Sequence, residues 1–441
     1  MVPIIFHLDM NSYFASCEQQ DNVLWRGKPL GVCEHLGGII IAASREAKKI
    51  GITTGTPVWQ AKKIFPKVIL THTRPERYRY FTRKFIGVVS DYTNLVEKYS
   101  IDEVFLDMTK ACNVEKVLKG NFFGTRTFVD PWQEAVKIAK EIKFRFKTEV
   151  GDFLTCSIGI SENKLLSKIA SDMQKPDGLV IILPNTTQVC SLNDKECLVL
   201  LKNELYNRLE LIDVPGIGIR QEKNLKRMGI FTLKDLRDYP KSRLIAQFGL
   251  MGHHLHNMGQ LSGSFKSAVH DEKEIKSMGH MYTLPQEFRK PEFFAPVLYK
   301  LCEMVARRLR RQDLMGNIIH FYIYGKNNEG FGKSHKLGYF VRDGKEIFAE
   351  CMAIVEKEFS GDFSDRAVRF VGVTVAGLQP YFHQLSLFKN LEQQNKIMAA
   401  LDAVNEKYGE FTLLRAQMLK AGRVFRDSIG FGRMKELGED N

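Results

Sequence analysis

Short apolar segments alternate with helical patterns over the first 175 residues of the chain. Asp130, Pro131 and Gln133 form a capping-box arrangement that is typical of a helix start. The helix that they predict carries an apolar stripe formed by Trp132, Ala135, Val136, Ala139, Ile142 and Phe146. Continuous apolar runs predict buried strands at residues 4–8, 38–43, 104–106 and 155–160. The alternation predicts an α+β domain built on a sheet.

The pattern changes near residue 176. Residues 176–262 are mainly helical, and the polar, charged stretch at 263–277 predicts a linker. Residues 278–379 predict a compact βαββαβ unit, and residues 380–441 form a tail with a helix at 391–408. The first helix of the βαββαβ unit is expected near 295–314. Four arginines fall off its apolar stripe: Arg307, Arg308, Arg310 and Arg311.

Composition and charge narrow the possible functions. Hydrophobic residues make up 44% of the 441 residues and charged residues 26%, which excludes an intrinsically disordered chain. The longest apolar runs, at 39–43 and 179–183, are too short to span a bilayer. The 64 Lys and Arg residues outnumber the 51 Asp and Glu residues, for a net charge of +13. This excess favours a nucleic-acid partner, with an anionic membrane or simple solubility as alternatives.

The cysteines and the start of the chain indicate a compartment. The eight cysteines are scattered and include no CxxC pair, so neither a disulfide framework nor a zinc site is indicated. Residues 1–7 predict a strand rather than a signal peptide, because they lack a basic segment and a cleavage site of small residues. Both observations favour buried thiols in a reducing cytoplasm.

Three carboxylates lie at the ends of apolar strands. Asp9 ends the first strand, and Asp102 and Glu103 precede the apolar residues 104–106. A carboxylate among apolar residues is destabilising unless a cation or hydrogen bonds compensate it. Two divalent cations held by such oxygens are typical of phosphoryl transfer. The pattern leaves open that Asp9 only caps a helix starting near Asn11, and that Asp102 and Glu103 only mark a β-turn.

Five segments resemble, in order, the motifs of one polymerase family. They lie at 8–18 (LDMNSYFASCE), 100–107 (SIDEVFLD), 157–173, 175–178 and 214–218. Together they resemble the Y-family translesion DNA polymerases, in particular the bacterial DNA polymerase IV and UmuC-like branches, over residues 1–425. The resemblance implies a right-hand polymerase with a ferredoxin-like palm, small fingers, a helical thumb with a helix-hairpin-helix, and a βαββαβ little finger. The implied boundaries are palm 1–11 and 77–175, fingers 12–76, thumb 176–262, linker 263–277, little finger 278–379 and tail 380–441.

The resemblance implies a template-directed DNA polymerase that adds dNTPs to a primer 3′-hydroxyl by two-metal phosphoryl transfer. Its role would be low-fidelity translesion synthesis in DNA repair, on primer–template DNA, as a cytoplasmic monomer with no membrane partner. Asp9 and Asp102 would ligate two Mg²⁺ ions, Met10 would add its backbone carbonyl, and Glu103 would complete the site at the primer hydroxyl. The alternatives are an inactive scaffold that binds DNA and clamp, a metal-dependent nuclease, or an unrelated DNA-binding protein.

The resemblance also assigns residues to the incoming nucleotide. Phe14 aligns with the steric gate that excludes a ribose 2′-hydroxyl, and Tyr13 lies beside it. Lys168 aligns with a lysine that contacts the triphosphate, a role that suits a compact ammonium group. Two lysines one helical turn apart, Lys164 and Lys168, are otherwise typical of a solvated helix face. Phe14 is otherwise typical of a core aromatic at a helix start.

The fingers segment departs from the family pattern. Ser44, Arg45 and Lys48 occupy a stretch where the family commonly has a Tyr and an Arg that bind the triphosphate. Lys48 keeps the positive charge and loses the bidentate geometry of a guanidinium. Arg45 replaces an aromatic hydroxyl. The three residues are expected to face the nucleotide.

Two regions are expected to hold the duplex. Residues 215–218 (PGIG) carry a helix-hairpin-helix signature, in which Gly216 and Gly218 would let backbone amides approach a DNA phosphate. A plain helical turn is the alternative, and a weaker second hairpin signature lies at 248–252. In the little finger, Arg307 and Arg308 would grip the DNA backbone. Their alternative is an ordinary solvated helix face.

A peptide in the tail resembles the segment with which bacterial polymerases bind the sliding clamp, the β subunit. In the segment at 384–388 (QLSLF), the residues expected to contact the clamp are Gln384, Leu385, Leu387 and Phe388, of which Leu387 and Phe388 would fill a hydrophobic pocket. A short core strand is the alternative. Because 53 residues follow Phe388, the peptide is expected to be less free than a terminal one.

Overall fold

The chain divides into two compact units, whose boundary lies at residues 271 and 272. The computed structural model describes residues 2–34, 38–113, 115–117, 126–128, 130–185, 196–262, 275–325, 330–359, 367–382, 391–409 and 411–421. Most of the predicted linker and the whole predicted clamp peptide, residues 384–388, lie outside these ranges.

The first unit combines a large mixed sheet with two small ones. Its strands are β1 (Ile5–Met10), β2 (Leu30–Cys33), β3 (Ile40–Ala43), β4 (Ile69–His72), β5 (Val96–Lys98), β6 (Glu103–Asp107), β7 (Glu115–Val117), β8 (Arg126–Phe128), β9 (Cys156–Ser161), β10 (Leu179–Leu183) and β11 (Leu198–Leu201). The large sheet has the order β11-β10-β9-β1-β6-β5, and the small sheets are β3-β2-β4 and β7-β8.

The helices of the first unit lie between its strands along the chain or follow the last of them. They are α1 (Tyr13–Asp21), α2 (Arg45–Lys49), α3 (Val58–Ile64), α4 (Pro75–Ser90), α5 (Thr109–Cys112), α6 (Pro131–Arg145), α7 (Lys164–Met173), α8 (Leu205–Arg208), α9 (Ile219–Arg227), α10 (Leu233–Asp238), α11 (Lys241–Phe248) and α12 (Leu250–Gly259). Short 3-10 helices lie at Val23–Trp25, Lys202–Glu204 and Leu211–Asp213, and a π-helix lies at Phe146–Val150.

Strand β1 is the centre of the large sheet, antiparallel to both β6 and β9. Because side chains alternate along a strand, Phe6 and Leu8 enter the core beneath α4 and α6, and His7 and Asp9 point to the other face. On that face α7 packs closely against β9. A side chain at Gly159 would place its Cβ 2.0 Å from the Ser167 carbonyl oxygen, so only glycine permits this approach.

Helix α6 confirms the predicted start signal and apolar stripe. The Asp130 side chain accepts a hydrogen bond from the Trp132 backbone amide at 3.0 Å, and Pro131 is the first helical residue. The predicted stripe residues are all buried in the main core: Trp132, Ala135, Val136, Ala139, Ile142 and Phe146. Local sequence was sufficient here because the cap and the stripe agree.

Both predicted hairpins connect helices. Gly216 has φ +102°, a conformation that favours glycine, and it precedes Gly218 at the N-cap of α9. A Cβ at Gly216 would also lie 2.6 Å from Cε of Met258, so the turn packs closely on α12. Gly249, with φ +57°, joins α11 to α12 in the same way.

The second unit has the predicted βαββαβ order, which confirms the α+β fold class. Its elements are β12 (Ser277–Phe288), α13 (Pro291–Arg311), β13 (Leu314–Tyr324), β14 (Gly330–Val341), α14 (Gly344–Phe359) and β15 (Val368–Pro380). The sheet order is β12-β15-β13-β14, with antiparallel pairs throughout. Helix α15 (Leu391–Tyr408), as predicted, and a 3-10 helix (Ala416–Ala421) follow.

The arginines of α13 correct one prediction. Arg307 is only 7% exposed, and the Arg310 side chain is 8% exposed, because both line a cavity whose other wall is formed by the tail. The Arg310 guanidinium makes a bidentate pair with Asp402 of α15 at 2.6 and 2.8 Å. Arg308 donates from Nη1 to the Gly279 carbonyl at 3.0 Å. The alternative of a solvated helix face is therefore wrong for Arg307 and Arg310.

Two further expectations concern the thiols and the membrane. Within the described ranges the cysteines are free, buried thiols, and Cys190 lies outside those ranges. In the same part of the chain, no helix combines the length and the apolar character that a bilayer-crossing segment needs.

We expect Asp402→Ala to destabilise the second unit by about 3–5 kcal/mol, because it leaves the buried Arg310 guanidinium without its carboxylate. Glu406→Ala is the matched control. It breaks the 3.0 Å ion pair between Glu406 and Arg311. Because the Arg311 side chain is 47% exposed and the Glu406 side chain 50%, the variant should lower the free energy of unfolding by at most about 1 kcal/mol. Urea unfolding followed by circular dichroism measures both changes. Equal losses for the two variants would contradict the role given to the buried pair.

Candidate active site

The candidate active site is a cavity of about 710 Å³ in the first unit. Separate parts of the chain form its wall: the end of β1, the start of α1, strand β3, helix α2, the turn before β6 and the segment after α7. The wall includes Asp9, Met10, Tyr13, Phe14, Arg45, Lys48, Asp102 and Lys175. The structure thus brings most of the sequence-predicted palm and fingers residues to one place.

Strand pairing places the three carboxylates together. In the antiparallel register of β1 and β6, Asp9 lies opposite Glu103, and the Met10 amide donates to the Asp102 carbonyl at 2.9 Å. Ser12, rather than Asp9, is the N-cap residue of α1, so the alternative of Asp9 as a helix cap is wrong. A tight turn does precede Glu103, whose carbonyl accepts from the Ser100 amide at 3.1 Å. Asp102 belongs to this turn and also faces the cavity.

Asp9 and Asp102 carry negative charge in surroundings that disfavour it. Burial raises the pKa of Asp9, although Lys175 donates to its Oδ2 at 2.7 Å and opposes the effect. Burial also raises the pKa of Asp102 to about 6. The Ser100 hydroxyl donates to its Oδ1 at 2.6 Å, and this hydrogen bond opposes the increase. Two buried carboxylates with raised pKa values form a site that a cation would stabilise.

Glu103 has the opposite electrostatic environment. Burial alone raises its pKa, but a hydrogen bond from His7 at 3.3 Å and the Lys168 ammonium at 2.5 Å lower it to about 2. The His7 ring is fully buried, and its Nδ1 lies 2.7 Å from the Ser171 hydroxyl of α7. Glu103 is therefore held as an anion by groups on two different elements.

The lysines of α7 are paired with carboxylates of the sheet. Lys164 is 7% exposed and pairs with Glu97, and the Lys168 side chain is 18% exposed, so a solvated helix face is wrong for both. Lys168 reaches Glu103 and lies outside the cavity wall. Lys175, which sequence reasoning missed, lines the cavity and pairs with Asp9. The sequence did contain a signal for Lys175, because this residue begins the 175–178 motif. The sequence analysis assigned no role to it.

The aromatic residues of α1 form one wall of the cavity. Phe14 is 1% exposed and stacks on Tyr78, with ring centroids 4.3 Å apart and an interplanar angle of 11°. Tyr13 donates its hydroxyl to the Tyr78 carbonyl at 2.7 Å. These contacts fix the orientation of the Phe14 ring where it meets the cavity.

Of the three predicted fingers residues, Arg45 and Lys48 line the cavity and Ser44 does not. Ser44 is fully buried, caps α2 by accepting from the Ala47 amide at 3.2 Å, and lies outside the cavity wall. Its role is structural, which corrects the expected nucleotide contact. Arg45 and Lys48 do line the cavity. Burial lowers the pKa of Lys48, and the nearby Lys175 ammonium lowers it further.

The donor atoms suit a hard cation, but they do not form a closed metal cluster. Among the residues that the structure describes, no group of three or more His, Cys, Asp and Glu side chains is arranged to hold a metal ion. Carboxylate and carbonyl oxygens from Asp9, Asp102 and Met10 are the donor types that Mg²⁺ prefers. The raised pKa values of the two aspartates show that the site favours added positive charge.

Comparison with family models covers most of the chain. Residues 8–172 match the impB/mucB/samB family, and residues 275–387 match the impB/mucB/samB family C-terminal domain. Residues 212–260, which include both hairpins, match the thumb domain of DNA polymerase-iota.

Full-length relatives and solved structures are consistent with these matches. The chain is 32% identical to DNA polymerase IV of Pelotomaculum thermopropionicum, over 96% of this chain and 97% of the relative. It is 30% identical to DNA polymerase IV 1 of Bacillus subtilis, over 95% and 93%. A solved Y-family DNA polymerase chimera based on Dbh superposes with a TM-score of 0.68 at 23% identity, covering 86% of this chain and all of that one.

We expect Asp102→Asn to stabilise the protein by about 3 kcal/mol at about pH 8 without divalent cations. The folded-state pKa of Asp102, about 6, lies above the ordinary 3.8, so ionising this group costs stability as pH rises through that range. The gain should fall to about half near pH 5. Urea unfolding at both pH values measures it.

Glu103→Gln is the control with the opposite sign. The folded-state pKa of Glu103 is lowered to about 2, so the ionised group stabilises the fold above its ordinary 4.5. That stability is lost as pH falls toward 2, and the variant should be less stable than the wild type at neutral pH. Destabilisation of Asp102→Asn at about pH 8 would contradict the electrostatics of the site.

Proposed function

The chain belongs to the impB/mucB/samB family of bacterial Y-family DNA polymerases, and from this premise we propose how its cavity carries out nucleotide transfer. It is a DNA-directed DNA polymerase of the translesion class, acting in DNA repair. The inactive-scaffold alternative is not favoured. The observation that carries the proposal is the convergence of the Asp9 and Asp102 carboxylates and the Lys48 and Lys175 ammonium groups on one cavity. Its volume, about 710 Å³, suits a nucleotide.

The carboxylates are proposed to hold two Mg²⁺ ions. Asp9 and Asp102 would share both ions, the Met10 carbonyl would add a ligand, and Glu103 would complete the site beside the primer 3′-hydroxyl. When bound, the ions lower the pKa of that hydroxyl and neutralise charge on the triphosphate. The protein contributes the rigid register of β1 and β6, which fixes Asp9 against Glu103. Lys168 and His7 keep Glu103 ionised and oriented.

Three cations of the cavity wall are proposed to bind the triphosphate: Arg45, Lys48 and Lys175. Lys175 takes the role that the sequence assigned to Lys168, because Lys175 lines the cavity and Lys168 does not. The lowered pKa of Lys48 supports an electropositive pocket, which anionic phosphates would stabilise. Phe14 is proposed as the sugar gate, with its ring held against Tyr78.

The two hairpins at Gly216–Gly218 and Gly249 are proposed to hold the DNA backbone without reading sequence. Exposed residues at their helix starts support this: Ile219 is 76% and Leu250 is 77% exposed. Arg308 is retained as a proposed backbone contact, whereas Arg307 is buried against the tail. We also propose that the enzyme is a cytoplasmic monomer and that residues 384–388 bind the sliding clamp.

Lys175→Ala is expected to raise the KM for dNTP by about 10- to 100-fold, because it removes a charge-assisted contact to the triphosphate. Lys168→Ala is the matched control and should mainly lower kcat, because it releases Glu103 beside the primer hydroxyl. Steady-state primer extension on an undamaged template separates the two parameters, with Asp102→Asn as the inactive reference. The reverse pattern would return the triphosphate role to Lys168.

Phe14→Ala is expected to increase ribonucleotide incorporation, relative to deoxyribonucleotide, by about 10- to 200-fold, because it removes the ring that meets the sugar. Phe14→Leu keeps more of the packing on Tyr78 and provides a safeguard against unfolding. Competing rNTP and dNTP in primer extension measure the ratio. Unchanged sugar selectivity in both folded variants would exclude Phe14 as the gate.

Deletion of residues 384–388 is expected to leave basal primer extension unchanged and to abolish its stimulation by the sliding clamp. The measurement is extension with and without the loaded clamp on a circular primed template. Scrambling the order of the five residues is the control for chain length. Stimulation that survives both changes would show that the peptide does not bind the clamp.

A further inference from the structure

Trp59 is a large aromatic side chain left on the surface of α3. It is 68% exposed, whereas Trp132 in the core is 6% exposed. Within the described part of the chain, the Trp59 side chain makes no ring contact or hydrogen bond. An indole in this state offers a flat, unoccupied stacking surface.

Two lysines share the face of Trp59. Lys62 and Lys63 follow at helical spacings of three and four residues, and both are exposed, whereas Val58 and Ala61 are buried on the opposite side of α3. Neither lysine has an acidic partner among the described residues. The surrounding sequence carries no Asp or Glu from residue 47 to 75, and its cations are Lys48, Lys49, Lys62, Lys63, Lys67 and Arg74.

The face follows the wall of the candidate cavity closely along the chain. Thr54 lines that cavity, and the turn that contains it leads into α3. The turn is tied to β3 by two backbone hydrogen bonds: the Gly55 amide donates to the Ile40 carbonyl at 2.7 Å, and the Ile40 amide donates to the Thr56 carbonyl at 2.9 Å. Trp59 is therefore held five residues along the chain from the cavity wall.

We propose that Trp59, Lys62 and Lys63 bind the unpaired template strand ahead of the cavity. One base stacks on the indole, and the two ammonium groups contact neighbouring phosphates. This inference rests on the proposed function, because a template-directed polymerase holds single-stranded template next to its nucleotide cavity. An exposed aromatic beside two cations matches single-stranded nucleic acid in particular, since a duplex presents no free base face at its side.

The test compares DNA substrates that differ only in the template overhang. Trp59→Ala should bind a primer–template with an eight-nucleotide 5′ template overhang roughly 5- to 150-fold more weakly than the wild type, and a blunt duplex equally well. Trp59→Phe should restore most of the affinity. Phe144→Ala, which removes an aromatic side chain 67% exposed on α6, is the matched control and should have no effect. Fluorescence anisotropy of labelled DNA gives the affinities.

The salt dependence tests the lysines separately. The double variant Lys62→Ala and Lys63→Ala should reduce the slope of log affinity against log salt by about 1.4 for the overhang substrate. Equal overhang affinity for Trp59→Ala and the wild type, or equal losses on overhang and blunt duplex, would overturn the proposal.

Primer extension on a template with a single unpaired nucleotide distinguishes this inference from the proposed function. The wild type and Trp59→Ala should extend that primer at the same rate, because no strand reaches α3. A wild type that fails to extend it would refute the polymerase mechanism itself. Normal extension by the wild type together with unaltered overhang binding by Trp59→Ala would refute only the role of α3.

Discussion

The first unit depends on one constraint: negative charge is buried where β1 ends and β6 begins. The register that sets Asp9 opposite Glu103 concentrates carboxylates in a low-dielectric site, where each unpaired charge is strongly destabilising. The three groups are compensated unequally. Among the residues that the structure describes, Glu103 is paired by Lys168 and His7, Asp9 is paired by Lys175, and Asp102 accepts a hydrogen bond from the Ser100 hydroxyl. The raised pKa of Asp102 is the electrostatic cost that stays uncompensated at the candidate site, and added positive charge would relieve it.

The need for compensation also explains how the sheet is covered. Helix α7 supplies Lys168 and Ser171, and the segment after it supplies Lys175. These side chains reach β1 and β6 only because α7 lies very close to β9, an approach that Gly159 permits. The other face of α7 buries Leu166 and Ile169 in a hydrophobic cluster that is separate from the main core and also contains Val180 and Leu205. One helix thus links core packing to the charge balance of the site.

Local patterns were sufficient for much of the fold. The strands around Asp9 and Glu103, the capped helix α6 and the βαββαβ order of the second unit follow from periodicity and capping, which act within a few residues. The carboxylates of the site could also be predicted, because their positions at strand ends are visible in the sequence. The motif that contains Lys175 is also visible in the sequence, but local patterns do not show that Lys175 lines the cavity or that Ser44 does not. Lys168 on α7 contacts Glu103, whereas the segment after α7 carries Lys175 to the cavity wall, and a cap bond rather than a nucleotide orients Ser44.

The distribution of positive charge shows why net charge alone was a weak guide. Arg310 is neutralised by Asp402, 92 residues further along the chain, a partner that no local pattern indicates. Lys164 and Lys168 are likewise taken up by carboxylates of the sheet. By contrast, Lys48 at the cavity wall and Lys62 and Lys63 on α3 have no ion pair among the described residues, and they lie in a segment without acidic residues from 47 to 75. Internal pairing leaves the net charge of +13 unchanged but decides where it acts, because the unpaired cations are the ones that present their charge to a nucleotide or a DNA strand.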